Sequence, residues 1–394
     1  MATLPVKAFQ YIQSFSCLAE RCEDTCCQNW PIAVTPRWIE RAGQTAPELL
    51  NLIAREHDDY RIKKNDNNQC LALQHGRCSI HAARGEPALP DICSTYPRMY
   101  RRINELTVKS ATMSCPEVTR LVLFSDAPFQ LEEQLEDDYR SSASSPSTFD
   151  GLDDQGWVST VNFFNDLVLG SQRSAGDVLV QLYELVGQLN QVPYAQWGEA
   201  AAPLTRGYQL PAADPALIVT DPLLLVLFEI TQAPFVPDSL RQSVMAAIDI
   251  EAGQTPQHNR VNLKPQVREL AYSAAGAALE PVLKRFMAAE MTRTGFPFIS
   301  TTSAGQDYGV TLVEWAATLA IRTLALRYLL LVQAAAALPE APDQQQIVDR
   351  VYRYCRAASH NGATVSEKVL RQAISQQGAP YLLALVRQTQ QALH

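Results

Sequence analysis

"CLAERCEDTCCQNW", residues 17–30, carries Cys17, Cys22, Cys26 and Cys27, the last two adjacent. Cys70, Cys78, Cys93 and Cys115 follow, and of the nine cysteines in the chain only Cys355 lies elsewhere. Thiols this concentrated indicate metal or redox chemistry in a reducing compartment, and a disulfide scaffold in an oxidising one. The compartment therefore has to be read next. "MATLPVKAFQYIQSFSCLAE", residues 1–20, holds no apolar run of signal-peptide length. The most apolar stretch, residues 310–338, is interrupted by Glu314, Arg322 and Arg327. It leaves no span of about 18 uncharged apolar residues to cross a bilayer. The expectation is a cytoplasmic protein with no transmembrane segment, reduced thiols and a metal site.

Charge narrows the partners. The formal net charge is -8 and no run of Lys and Arg offsets it, so the field repels a polyanion and nucleic acid is not expected as a partner.

The chain of 394 residues is long enough for more than one domain. Residues 1–125 read as a small, loop-rich cysteine unit in which a metal replaces part of a core. Residues 126–156 read as a linker or loop around "RSSASSPSTFDG", residues 140–151. Residues 157–394 read as a helical domain. In "GDVLVQLYELVGQL", residues 176–189, Val178, Leu179, Leu182, Leu185, Val186 and Leu189 recur at helical spacing. Further helices are expected over 222–232, 238–250, 266–291, 310–337, 344–359 and 366–388. The fold class is mainly α, with the cysteine unit packed on a multi-helix domain. None of the seventeen glycines forms a Gly-x-Gly pair, so the dinucleotide-binding turn has no candidate.

Four thiolates around one centre suit zinc or an iron–sulfur cluster. The spacings are Cys17-x4-Cys22-x3-Cys26-Cys27 and Cys70-x7-Cys78-x2-His81, followed by Cys93 and Cys115. Zinc ribbons use paired Cys-x2-Cys knuckles, and none is present; Cys78 with His81 is the nearest approach. The Cys-x3-Cys-x2-Cys signature of radical enzymes fails because position 29 is Asn. Adjacent Cys26 and Cys27 are awkward ligands for one centre, since neighbouring side chains tend to diverge. Eight clustered cysteines allow one centre with spare thiols, or two. Cys355, alone on a helix, reads as a small buried hydrophobe.

Three blocks together resemble the flagellin lysine N-methylase family, within a wider group of zinc- or iron-chelating cysteine-cluster proteins. They are "CEDTCCQNWPI" (22–32), "GRCSIHAARGEPALPDICSTYPRMY" (76–100) and "ATMSCPEVTRLVL" (111–123). The resemblance is specific over residues 17–123 and weak beyond. It implies a protein-lysine methyltransferase that moves a methyl group from S-adenosylmethionine to surface lysines of flagellin. It also implies a [4Fe–4S] cluster, with zinc the alternative. On this reading Cys17, Cys22, Cys26, Cys27, Cys70, Cys78, Cys93 and Cys115 supply the metal ligands, and His81 is a further candidate. Trp30, Tyr96 and Arg98 flank these cysteines and could line a pocket, Arg98 being suited to a carboxylate. A packed Tyr96 and solvated Arg98 in a simple turn fit the same residues. No catalytic base is assigned. Two rival readings are a metal-binding module without methyl chemistry and a zinc-stabilised helical domain that docks a protein.

Overall fold

Strand Thr3–Phe9 organises the amino-terminal part of the computed structural model. It runs parallel to Leu106–Ala111 and pairs antiparallel, along its whole length, with Leu131–Asp137. Arg98–Ile103 forms a hairpin with Leu106–Ala111 and completes a four-stranded sheet. The structure describes residues 3–28, 31–56, 59–137, 147–212, 217, 222–232, 236–251, 260–264, 267, 270, 274–299, 311–337, 342–360 and 362–390.

The hairpin turn places Asn104 in the left-handed region, φ 50°, which a short amide side chain tolerates. Its carboxamide donates to the carbonyls of Phe149 and Leu152, at 3.0 and 2.7 Å, and accepts from the Phe149 N–H at 2.8 Å. The stretch expected as a linker is thus ordered where it is described. Leu131–Asp137 is a sheet strand, and Ser147–Phe149 docks on the hairpin through the Ser147 N–H to the Arg102 carbonyl. Residues 138–146 lie outside the described residues.

Helices dominate the remainder, so the chain is mainly α. Ala175–Leu189 starts at Ser174, whose hydroxyl accepts from the Asp177 N–H, and Asp153 caps Asp154–Leu169 in the same way through Gly156. Pro222–Gln232, Leu312–Ala337, Gln344–His360 and Val365–Gln390 fall close to the expected spans. The span expected over 238–250 ends sooner, at Ala247, because Ile248–Glu251 pairs with Arg260–Leu263. Val365–Gln390 breaks at Gly378, φ 73°, before Pro380, which removes an N–H donor.

Leu312–Ala337 packs against both Ala175–Leu189 and Val365–Gln390. By length and composition Leu312–Ala335 could cross a membrane, yet its most apolar 18-residue window is buried in protein. Its charges are matched inside: Arg322 meets Glu367 at 3.1 Å with side chains 5% and 1% exposed, and Arg327 meets Glu280. Losing one partner of such a pair leaves an unmatched buried charge, at a cost of about 3–5 kcal/mol.

Burial divides the chain differently from the expected boundary at 125. The larger buried cluster unites the helices with Ala8, Phe9, Tyr11, Val108, Val118 and Val122. A smaller one gathers Ile32, Val34, Trp38, Ile62, Ile80 and Leu89 around Cys70, with Cys27, Cys78 and Cys93 packed against it. The sheet and the helix Pro116–Phe124 therefore belong to the helical core. The unit with its own core lies between them in sequence, and its cysteines face the boundary.

Candidate metal centre

Residues 17–28 form turns and a single 3-10 turn rather than an α-helix. The Asp24 carboxylate accepts from the Thr25 N–H at 2.7 Å, and the Thr25 hydroxyl accepts from the Cys27 N–H at 3.1 Å. This nested turn corrects the expectation that Cys26 and Cys27 diverge: their sulfurs hydrogen-bond to one another. The Cys27 carbonyl accepts from the Cys70 N–H at 2.9 Å, which ties the second cysteine segment to the first. Cys78 precedes the helix Ser79–Arg84, Cys93 lies within Asp91–Thr95, and Cys115 precedes Pro116–Phe124.

Cys26 is the common neighbour. Its charge is felt by Cys22, Cys27, Cys70, Cys93 and Cys115, and Cys78 acts in turn on Cys70 and Cys93. Cys17 lies at the edge: it is exposed and acts on Cys22. The Cys27 thiol, donating to Cys26, pulls the Cys26 pKa down to about 7 against the opposing effect of burial, with help from the Arg356 cation. The same bond pushes Cys27 far up, and burial raises Cys70, Cys93 and Cys115, the last to about 12.

Arg356, on Gln344–His360, reaches this block from the far end of the sequence. It donates to Asp24 Oδ2 at 2.8 Å and to the Ser114 carbonyl at 3.2 Å, and it also hydrogen-bonds to Tyr96. The Tyr96 hydroxyl meets Ser114 Oγ at 3.1 Å. Gln345, three turns earlier on the same helix, donates to Glu23 at 2.9 Å, and Glu23 pairs with Arg120 at 2.5 Å. The helical region thus clamps both the loop bearing Cys22, Cys26 and Cys27 and the corner before Cys115. Sequence reasoning missed this, because Arg356 stands beside a lone cysteine in an ordinary helical pattern.

The other expected site residues separate. Tyr96 borders the thiols, and burial raises its pKa. Arg98 stacks over the Phe15 ring, 5.2 Å from its centre. His81 is exposed on the helix after Cys78. Trp30 lies outside the described residues.

Among the described residues, no three His, Cys, Asp or Glu side chains already converge as ligands of one ion. The donor chemistry nonetheless fits a thiophilic centre. Seven thiols from four segments act on one another electrostatically, one is acidified, and the Arg356 cation acts on that one. In metal-free protein, Cys26 is therefore expected to alkylate first. Below pH about 7 it is the unreactive thiol, and the rate should rise through that pH while Cys93 and Cys115 stay inert. Peptide mapping after brief iodoacetamide exposure checks this.

Cys355 stands apart, fully inside the helical core beside Glu290 and Arg293. Cys355→Ala is expected to leave metal content unchanged and cost about 1 kcal/mol from lost packing, read by thermal melting and metal analysis.

Residues 16–116, which hold seven of the interacting thiols, match the family model described as "CxxCxxCC: Putative zinc- or iron-chelating domain". More particularly, the chain is similar to the lysine-N-methylase of Salmonella typhimurium, 25% identical over 146 residues, covering 34% of this chain and 36% of that protein. The Salmonella choleraesuis lysine-N-methylase gives the same figures. The flagellar biosynthetic protein FliU of Salmonella muenchen is 25% identical over 135 residues, covering 31% of this chain and 79% of that one. The match thus spans about a third of the methylases' length, and it agrees with the resemblance carried by the three cysteine blocks. No solved structure matches.

Proposed function

We propose that this protein is an S-adenosylmethionine-dependent protein-lysine N-methyltransferase that acts on flagellin and carries a thiolate-held [4Fe–4S] cluster. One observation carries the reading: similarity to proteins named lysine-N-methylase coincides with a cluster of seven interacting cysteines whose loop is held at Asp24 by an arginine from the helical core. Four of Cys22, Cys26, Cys27, Cys70, Cys78, Cys93 and Cys115 would hold the cluster. When bound, it supplies a Lewis-acidic or electron-donating iron, or holds the loops in place.

The chain has its own task in this reaction. A lysine amine attacks a methyl sulfonium only when neutral, and with a reference pKa near 10.4 its deprotonation at pH 7 costs about 4–5 kcal/mol. Desolvation at the boundary lowers that cost, and alignment with the methyl group contributes several kcal/mol more.

Anaerobic purification followed by iron, zinc and acid-labile sulfide analysis tests the cluster. Stoichiometric zinc without sulfide overturns it in favour of a zinc-stabilised module. Transfer of labelled methyl to recombinant flagellin tests the activity, and its absence from iron-loaded protein overturns the enzymatic reading.

A further inference from the structure

Cys26 and Cys27 are neighbours in sequence, and in a strand their side chains would point to opposite faces. Here a turn, in which Thr25 Oγ1 accepts from the Cys27 N–H, folds the pair so that the Cys27 thiol donates to the Cys26 sulfur. Cys27 is also held from behind. Its carbonyl accepts from the Cys70 N–H at 2.9 Å, and Gln28 and Gln69 form an antiparallel bridge beside it.

Access selects the same pair. Cys26 is exposed and Cys27 half-buried, whereas Cys70 and Cys115 are buried. Cys17, the other exposed thiol, is turned into its own turn, where its sulfur accepts from the Ala19 N–H at 3.4 Å. An oxidant arriving from solvent therefore meets Cys26 with a second thiol already in contact with it.

We propose that Cys26 and Cys27 form a peroxide-sensitive vicinal dithiol, whose oxidation to a disulfide blocks metal loading. The inference needs thiolate ligation, but neither a particular metal nor the methyl transfer proposed above. In the first step the Cys26 sulfur attacks a peroxide: an S–O bond forms, the O–O bond breaks, and water leaves. The Cys27 sulfur then attacks the Cys26 sulfenic acid. The S–S bond forms, the S–O bond breaks, and hydroxide leaves as water with the Cys27 proton. Two thiols are oxidised and one hydrogen peroxide is reduced to two waters.

Strain makes the product reversible. Adjacent Cα atoms lie about 3.8 Å apart across a trans peptide, short of the roughly 4.4–6.8 Å that disulfides usually span. A strained disulfide is readily reduced, so small thiols reset the pair. While oxidised, the pair offers a metal no thiolate, and it includes Cys26, the neighbour shared by the other clustered cysteines.

The test uses the full chain, freed of metal anaerobically and treated with one equivalent of hydrogen peroxide. Iodoacetamide capping and trypsin release residues 22–37 as one peptide, which holds Cys22, Cys26 and Cys27. That peptide should carry a single alkyl group, on Cys22, and be lighter by two hydrogen atoms at Cys26–Cys27. Dithiothreitol before capping should restore alkylation of all three. Zinc uptake by the oxidised chain should fall about tenfold or more and return on reduction. In Cys27→Ser the same peroxide should leave Cys26 as a sulfenic acid that dimedone traps. Alkylation of all three cysteines after peroxide, or a disulfide from Cys26 to Cys22, Cys70 or Cys93, overturns the vicinal pair. Zinc uptake by the oxidised chain equal to that of the reduced chain overturns the block on loading. Dimedone on a different cysteine of Cys27→Ser overturns Cys26 as the first thiol to react.

Discussion

Arg356→Ala should strip the metal centre of its support from the helical core. The variant leaves the Asp24 carboxylate, the Ser114 carbonyl and the Tyr96 hydroxyl without their shared donor. The Arg356 and Asp24 side chains are 18% and 21% exposed, so solvent screens the pair only partly. Removing the cation from a pair this sheltered costs about 3 kcal/mol, roughly a hundredfold in the affected equilibrium. Metal retention should fall further than stability, because Asp24 lies two residues before Cys26. Without Arg356 the Cys26 thiol loses one of the influences that acidify it, and ligation needs the thiolate. The sign follows: the variant's deficit in metal uptake relative to the wild type should be largest just above pH 7 and shrink toward pH 9, where thiols ionise unaided. Arg356→Lys keeps the charge but loses the fork, so it should restore the pH profile more than the melting temperature. Wild-type metal content and melting in Arg356→Ala would show that the clamp is incidental.

The helices were legible because each buries a stripe at the spacing the sequence displays, as Val178, Leu182, Leu185 and Leu189 do on Ala175–Leu189. The sheet was not. Thr3–Phe9 and Leu131–Asp137 pair across more than a hundred residues, and the acidic alternation of "LEEQLED" reads as a solvated loop until a partner strand supplies its hydrogen bonds. The same non-local pairing explains why the expected boundary at 125 cuts through one core: it separates Thr3–Phe9 from a strand with which it pairs along its whole length. Within the site, the thiols were legible by residue type alone, whereas Arg98 was a plausible carboxylate partner only by adjacency. The cation that reaches the cysteine loop, through Asp24, comes from Gln344–His360, and only tertiary packing brings it there.

That boundary also determines how the division of labour can be tested. A fragment ending at 125 loses Leu131–Asp137 and every helix that covers Val118 and Val122, so its failure to act would say little. Single substitutions in the full chain are the informative route. Cys22→Ser, Cys26→Ser, Cys78→Ser and Cys93→Ser are each expected to abolish metal binding and methyl transfer together. Cys26 and Cys93 should be the most damaging, since Cys26 neighbours thiols from every segment and Cys93 packs against the small core. Cys17→Ser should be mild, because Cys17 is exposed at the edge. A structural thiolate site contributes on the order of 10–16 kcal/mol to folding when zinc fills it, so loss of one of four ligands is enough to empty a centre that has no preformed cage. Each variant should be measured for iron, for labelled methyl transfer to flagellin and for melting of the helical core. Joint loss of iron and transfer, with the core melt retained, places the metal centre in the working site. Variants that lose iron yet transfer at a near-normal rate would make the cluster a structural or incidental group. The reaction would then be polar substitution in the helical core.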